Sequence, residues 1–86
     1  MSYLVRWKDA AIQELAAAWI EADSALRAEI IAATNEIDHR LAHDPLGESE
    51  SRGGERRIAI ASPLAVTFRI DFSQNIVSIL RCICRN

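Results

Sequence analysis

The stretch RRIAIASPLAVTFRIDFSQNIVSILRCIC, Arg56 to Cys84, decides the architecture. Apolar residues alternate with others in three runs, Arg56 to Ala61, Leu64 to Asp71 and Ile76 to Cys84. Ser62-Pro63 and Ser73-Gln74-Asn75 punctuate them, and residues of these types turn a chain sharply. Three strands joined by such short breaks form an antiparallel meander. Side chains alternate strictly along a strand, so turn length determines which residues share a face. With Ser62-Pro63 as a two-residue turn, Ala61 pairs with Leu64 and Arg56 with Arg69. With Ser73-Gln74 as the next turn, Phe72 pairs with Asn75 and Arg69 lies opposite Ser78.

One face then collects Leu64, Val66, Phe68, Ile70, Val77, Ile79 and Ile83, which makes it a seat for helices. The other collects Arg56, Ile58, Ile60, Thr67, Arg69, Ser78, Leu80, Cys82 and Cys84. Opposed arginines repel unless an anion lies between them. The apolar residues beside them make a patch that a lone monomer rarely exposes. Arg56, Ile58, Ile60, Arg69, Leu80 and Cys82 are therefore the candidate partner-binding residues, and their mixture suits a protein partner at least as well as nucleic acid. An odd-length turn or a bulge would flip one strand and carry these residues inside. Arg81 falls on the helix-facing side in this register, where it reaches an acid such as Asp38 unless a bulge turns it outward.

Upstream of the meander lies a polar loop, Glu48 to Glu55, preceded by a helix-ending Asp44-Pro45-Leu46-Gly47. Leu26, Ile30, Ala33, Ile37 and Leu41 recur at helical spacing, with Arg27, Glu29, Glu36 and Arg40 off the stripe. Ile12, Leu15, Trp19 and Ala22 do the same in an earlier helix, with Asp9 at its N-cap position and Asp23-Ser24 dividing the two. Tyr3 to Lys8 alternates again and reads as a first strand. The order β-α-α-β-β-β gives an α+β two-layer sandwich, a helical hairpin on one face of an antiparallel four-stranded sheet. Residues 1–86 read as one domain.

Composition narrows the function. Half of the 86 residues are hydrophobic, which excludes a disordered tail. No apolar run approaches the ~18 residues of a membrane helix, and no secretory start is present. Two cysteines are too few for a disulfide framework, and a cytoplasmic setting follows. Residues 1–50 carry four basic and ten acidic side chains, whereas residues 51–86 carry six and two. The basic half is all arginine, a side chain that grips phosphate or carboxylate through a planar fork. Either an anionic partner meets that half, or the two halves neutralise each other within the fold.

Several pieces together carry a family signature. They are Tyr3-Leu4-Val5-Arg6-Trp7, the hairpin end Ile37-Asp38-His39-Arg40-Leu41-Ala42-His43-Asp44-Pro45, and the loop from Gly47 to Arg57 with its Arg52-Gly53-Gly54. The strands Pro63 to Asp71 and Ile76 to Leu80 complete them. In this order they resemble the RelE/ParE toxin superfamily of bacterial type II toxin–antitoxin systems, over essentially the whole chain. The resemblance implies the strand order 1-4-3-2, a role of the plasmid-stabilisation kind, and a cognate antitoxin that holds the toxin inactive. In the RelE branch, basic residues on the open sheet face cut mRNA on the ribosome. In the ParE branch the target is DNA gyrase, with no nuclease chemistry.

Carried over position by position, the nuclease residues would be Arg56, Arg57, Arg69 and Arg85. The family's basic residue near the start of the third strand falls on Leu64 or Ala65, and its distal tyrosine or histidine has no counterpart. Arginines support a pentavalent phosphate but are poor at moving protons. The expectation is a ParE-like toxin that acts by binding. A RelE-like mRNA interferase and a non-toxic protein-binding or self-dimerising module of the same fold are the alternatives. No cofactor is expected, and no metal. His39 and His43 stand at helical spacing without the glutamate of a zinc motif, and Cys82 and Cys84 read as buried or partner-covered thiols. Gly53-Gly54 precedes a strand and no helix, so it cradles no phosphate. Trp7 and Trp19 fill the space between the layers.

Overall fold

The computed structural model describes residues 2–47, 50–51 and 56–85. The polar loop with its Arg52-Gly53-Gly54 lies outside the described residues, except for Glu50–Ser51. The elements are β1 (Leu4–Trp7), α1 (Asp9–Glu21), α2 (Ser24–His43), β2 (Glu50–Ser51), β3 (Arg56–Ala61), β4 (Leu64–Asp71) and β5 (Ile76–Cys84). They form one sheet in the order β1-β5-β4-β3-β2. With the two-residue β2 set aside, this is the expected 1-4-3-2 order and the expected β-α-α-β-β-β succession.

One part of the expectation is corrected. The sheet is mixed, because β1 runs parallel to β5, with Leu4 opposite Ile76 and Trp7 opposite Ile79. The reason is the long return after α2. There β2 runs antiparallel to β3, so the chain has already reversed once before β3 begins. β1, β3 and β5 consequently point the same way.

The first hairpin has the register that its turn length dictates, from Ala61 opposite Leu64 to Arg56 opposite Arg69. The second begins as expected, with Asp71 opposite Ile76 and Arg69 opposite Ser78. Its turn is held by Asp71, whose Oδ1 accepts from the Ser73 amide, the Ser73 hydroxyl and the Gln74 amide. Asn75 takes a left-handed φ of 56°, which asparagine tolerates better than most residues. Beyond Phe68–Ile79 the ladder slips by one residue, so that Thr67 faces Arg81 and Val66 faces Cys82. Leu80 is the extra residue of this β-bulge.

The core lies between sheet and hairpin: Phe68, Val66, Leu64, Val77 and Ile79 pack against Ile30, Ala33, Ile37 and Leu41. The α2 stripe is thus the expected one, with Leu26 half-buried at its start. Asp23 caps α2 by accepting from the Leu26 amide at 2.8 Å. α1 departs from the reading in two ways. Asp9 is its first helical residue and Lys8 its cap position, without a side-chain cap. Its buried residue is Ala11, with Leu15, Ala18, Trp19 and Ala22 partly covered, while Ile12 is exposed. The small Ala11 lets the helix approach the sheet closely, and this turns Ile12 outward. Arg27 closes the α1 C-terminus, its Nε donating to Trp19 O at 2.9 Å while its guanidinium lies 5.1 Å from the Trp19 ring.

Candidate binding face of the sheet

The helices cover one side of the sheet, and the other side faces solvent. Three pairings place Arg6, Ser78, Arg69 and Arg56 in one row across β1, β5, β4 and β3. At ~4.8 Å per strand the row spans roughly 14 Å. Arg6, Arg56 and Arg69 are exposed, and none forms an ion pair with a carboxylate of the described residues. Lys8 lies at the β1 end of the row, and with Arg6, Arg69 and Ser78 it lines a hollow of about 560 Å³. Asp71 is the acidic group in that hollow. Hydrogen bonds from the Ser73 hydroxyl and the turn amides hold its carboxyl below the usual range, and nearby Arg69 adds to the effect.

The Pro63 end of the same face is apolar. Ile58, Ile60, Ala65 and Ile83 line a second hollow of about 330 Å³ together with Arg85. The Arg85 amide donates to Pro63 O at 2.7 Å and so fixes the end of β5 there. The open face is therefore divided into a cationic end and an oily end.

The candidate residues are brought together only in part. Arg56 and Arg69 stand side by side, and Ile58 and Ile60 share the oily end. Leu80, at the bulge, is half-exposed beside Arg6 and Lys8. Arg57 alternates away from Arg56, opposite Phe68 on the helix side, and is half-buried. Arg85 sits at the far end from Arg56. Cys82 is the clear correction: the bulge turns it under the helices, where it is 4% exposed, and turns Ile83 outward to 56%. Cys84 follows Cys82 and packs against the core. Burial, with Glu14 nearby, pushes the Cys82 thiol up to about 11.

The bulge also settles Arg81, which turns outward and reaches round the edge of β5 to α1. Its Nε and Nη2 donate to the Glu14 carboxylate at 3.0 and 2.6 Å. Glu14 Oε1 also accepts from the Cys82 amide at 2.9 Å. β1 ends opposite Ile79, so this amide would otherwise be an open edge donor. Arg81 and the Cys82 amide together hold the Glu14 carboxyl at about 2. Asp38, the acid named for Arg81, instead accepts from the Trp7 indole at 2.8 Å.

Two features were missed. Arg6 and Lys8 belong to the cationic end, and the alternation in Tyr3 to Lys8 already placed them opposite Tyr3, Val5 and Trp7. The pairing of β1 with β5, which no turn encodes, brings them to Ser78 and Arg69. The second feature is an apolar groove of about 430 Å³ on the outer side of the hairpin, with Ile12, Trp19, Ile20, Ile30 and Ile31 among its walls. Its sequence signal was Ile20 and Ile31, which fit neither helix's buried stripe. His39 and His43 stack 4.4 Å apart at the exposed end of α2, away from the open face.

No protein-family model and no curated protein matches the sequence. Solved structures do match the fold. A chain of the RelBE2 toxin–antitoxin complex of Mycobacterium tuberculosis superposes with a TM-score of 0.75 at 24% identity, over 99% of this chain and 100% of that one. A chain of the chromosomal ParDE system of P. aeruginosa gives 0.71 at 15%, over 99% and 98%. The isolated E. coli RelE toxin gives 0.66 at 12%, over 99% and 86%. The chain has the RelE/ParE toxin fold. Within that fold, its helical hairpin backs the sheet and its bare face carries the divided surface described above. Among the described residues, no helix is long and apolar enough to cross a membrane.

Proposed function

We propose that this protein is the toxin-like half of a bacterial toxin–antitoxin pair, and that it acts in the ParE manner, by gripping its target through the open face without cutting it. One observation carries the reading. In a RelE/ParE fold, the described side chains of the open face offer Arg6, Lys8, Arg56 and Arg69, with Asp71 tied into its turn and no histidine or tyrosine among them to move a proton. Cationic groups stabilise charge on a phosphate, but cleavage also needs an acid and a base at the reacting oxygens. The interferase reading would want Arg57 and Arg85 beside Arg56 and Arg69, and they stand elsewhere.

The neighbours in the ParDE and RelBE2 structures come from toxin–antitoxin assemblies, which supports a cognate antitoxin as partner. The groove between α1 and α2 is the surface we assign to it, since an amphipathic helix fits such a cleft. Induced expression without an antitoxin should arrest growth through the DNA-damage response, with mRNA intact. Ribosome-dependent mRNA cuts would replace this reading with the interferase. Harmless overexpression together with a stable self-dimer by sedimentation would replace it with a non-toxic binding module.

A further inference from the structure

We propose that His39 and His43, one turn apart near the end of α2, form a binding site for a late first-row divalent metal ion such as Zn²⁺. The proposal goes beyond the reading above and does not depend on it. The segment His39-Arg40-Leu41-Ala42-His43 places its two imidazoles at i and i+4, on one side of the helix. That is the spacing by which the helical zinc motif presents two of its ligands. The glutamate absent here is the base of that motif's hydrolytic chemistry, so its absence removes catalysis and leaves ligation intact. Both side chains are exposed, and their ring centroids lie 4.4 Å apart. Two nitrogens held by one zinc at ~2.1 Å in tetrahedral geometry are roughly 3.4 Å apart. A small rotation about the side-chain bonds therefore takes the rings from stacking to chelation.

The surroundings prepare the pair for a cation. His43 Nδ1 lies 2.8 Å from the His39 carbonyl oxygen. A carbonyl only accepts, so Nδ1 carries the proton and Nε2 keeps its lone pair for a metal. Donation from the second ring nitrogen to such an acceptor is the support that metal-bound histidines usually have. The helix contributes as well, because its unpaired C-terminal carbonyls concentrate negative partial charge in the last turn. Glu36, Asp38 and Asp44 against Arg40 leave this end of α2 net negative. These carboxylates are committed elsewhere: Glu36 pairs with Arg40, Asp38 accepts from the Trp7 indole and Asp44 from the Gly47 amide. Among the described residues no third side chain completes a metal-holding group. Two imidazoles and water then make the coordination shell, and nitrogen ligands select zinc, nickel and copper over magnesium and calcium. A bound ion clamps the last turn of α2 where the chain enters Asp44-Pro45.

The test is isothermal titration calorimetry of the full chain with Zn²⁺, in a buffer that does not chelate metals and with Mg²⁺ as the oxygen-seeking control. Saturable binding of Zn²⁺ without binding of Mg²⁺ supports the site. One ion per chain leaves the remaining positions to water, and one ion per two chains gives them to the histidine pair of a second copy; either ratio is consistent with the assignment. His39→Gln and His43→Gln should each weaken Zn²⁺ binding at least about tenfold. Both positions are exposed, so both variants should fold, and circular dichroism checks this. Cys84→Ala should leave the affinity unchanged. In NMR spectra, the imidazole resonances of His39 and His43 should move together and saturate at the same metal ratio. No heat of binding, Mg²⁺ binding as tightly as Zn²⁺, unchanged affinity in either histidine variant, or a loss in Cys84→Ala would each overturn the proposal. Growth arrest enters none of these readouts, so failure here leaves the toxin reading standing, and failure of that reading leaves this one.

Discussion

The bulge at Leu80 gives two neighbours, Cys82 and Ile83, opposite environments, and substituting each in turn tests that assignment. Cys82 is 4% exposed beneath the helices, whereas Ile83 is 56% exposed on the open face. Cys82→Ser places a hydroxyl in the core, where an unpaired polar group costs about 1–3 kcal/mol. A domain of this size loses roughly 4–8 °C of Tm per kcal/mol, so a fall of about 5–20 °C is expected. Ile83→Ser removes little packing and should stay within ~0.5 kcal/mol. Thermal melts by circular dichroism measure both. Thiol chemistry gives an independent reading. With the Cys82 thiol raised from 9.0 to about 11, its thiolate at pH 8 is about a hundredfold scarcer than that of an ordinary thiol, before access is counted. Pulsed alkylation followed by mass spectrometry should leave Cys82 unmodified in the folded protein. If Ile83→Ser unfolded the chain while Cys82→Ser did not, or if Cys82 alkylated at the rate of a free thiol, the ladder would be straight and Ile83 would belong to the core.

Three other outcomes are expected. Glu14 has its carboxyl held at about 2 in the fold against an ordinary 4.5, so its stabilising share is complete above 4.5 and is lost as pH falls towards 2. Glu14→Gln should therefore flatten that part of the acid limb in urea melts taken at pH 7, 4.5 and 3, and an unchanged limb would remove Glu14 from the edge of β5. Asp23→Ala deletes the cap on α2 and should lower stability by about 1 kcal/mol, or roughly 4–8 °C in Tm. Ile31→Asp, at an exposed wall of the hairpin groove, should leave Tm within a few degrees but abolish capture of a co-expressed antitoxin; retained capture would move that partner off the groove.

Most of the architecture was legible locally. The α2 stripe needed only the 3.6-residue period, because a long helix presents one face to whatever it packs on. The β3–β4 register needed only the two-residue Ser62-Pro63 break, since pairing outward from a turn leaves no freedom. α1 was read less well, because Ala11 and Ile12 are both apolar and the period does not tell which one meets the sheet. Close approach selects the smaller. Of the candidate face, Arg56, Ile58, Ile60 and Arg69 were legible, all of them preceding the bulge in the chain and paired across the Ser62-Pro63 turn or beyond it. Past the bulge every side chain exchanged faces, so Cys82 went in and Ile83 came out.

The order of residues alone determined the two-layer plan, the buried helical stripe and the existence of a bare, arginine-bearing side to the meander. These are consequences of short-range periodicity. Only the assembled structure decided that β1 runs parallel beside β5, that Arg6 thereby joins Ser78, Arg69 and Arg56 in a single row, and that Glu14 reaches the backbone of β5 where β1 stops. Those facts join residues as far apart in the chain as Arg6 and Ser78, or Glu14 and Cys82. Which distant groups meet depends on how a long connection returns and where one extra residue slips a ladder, and neither leaves a mark in the alternation of a strand.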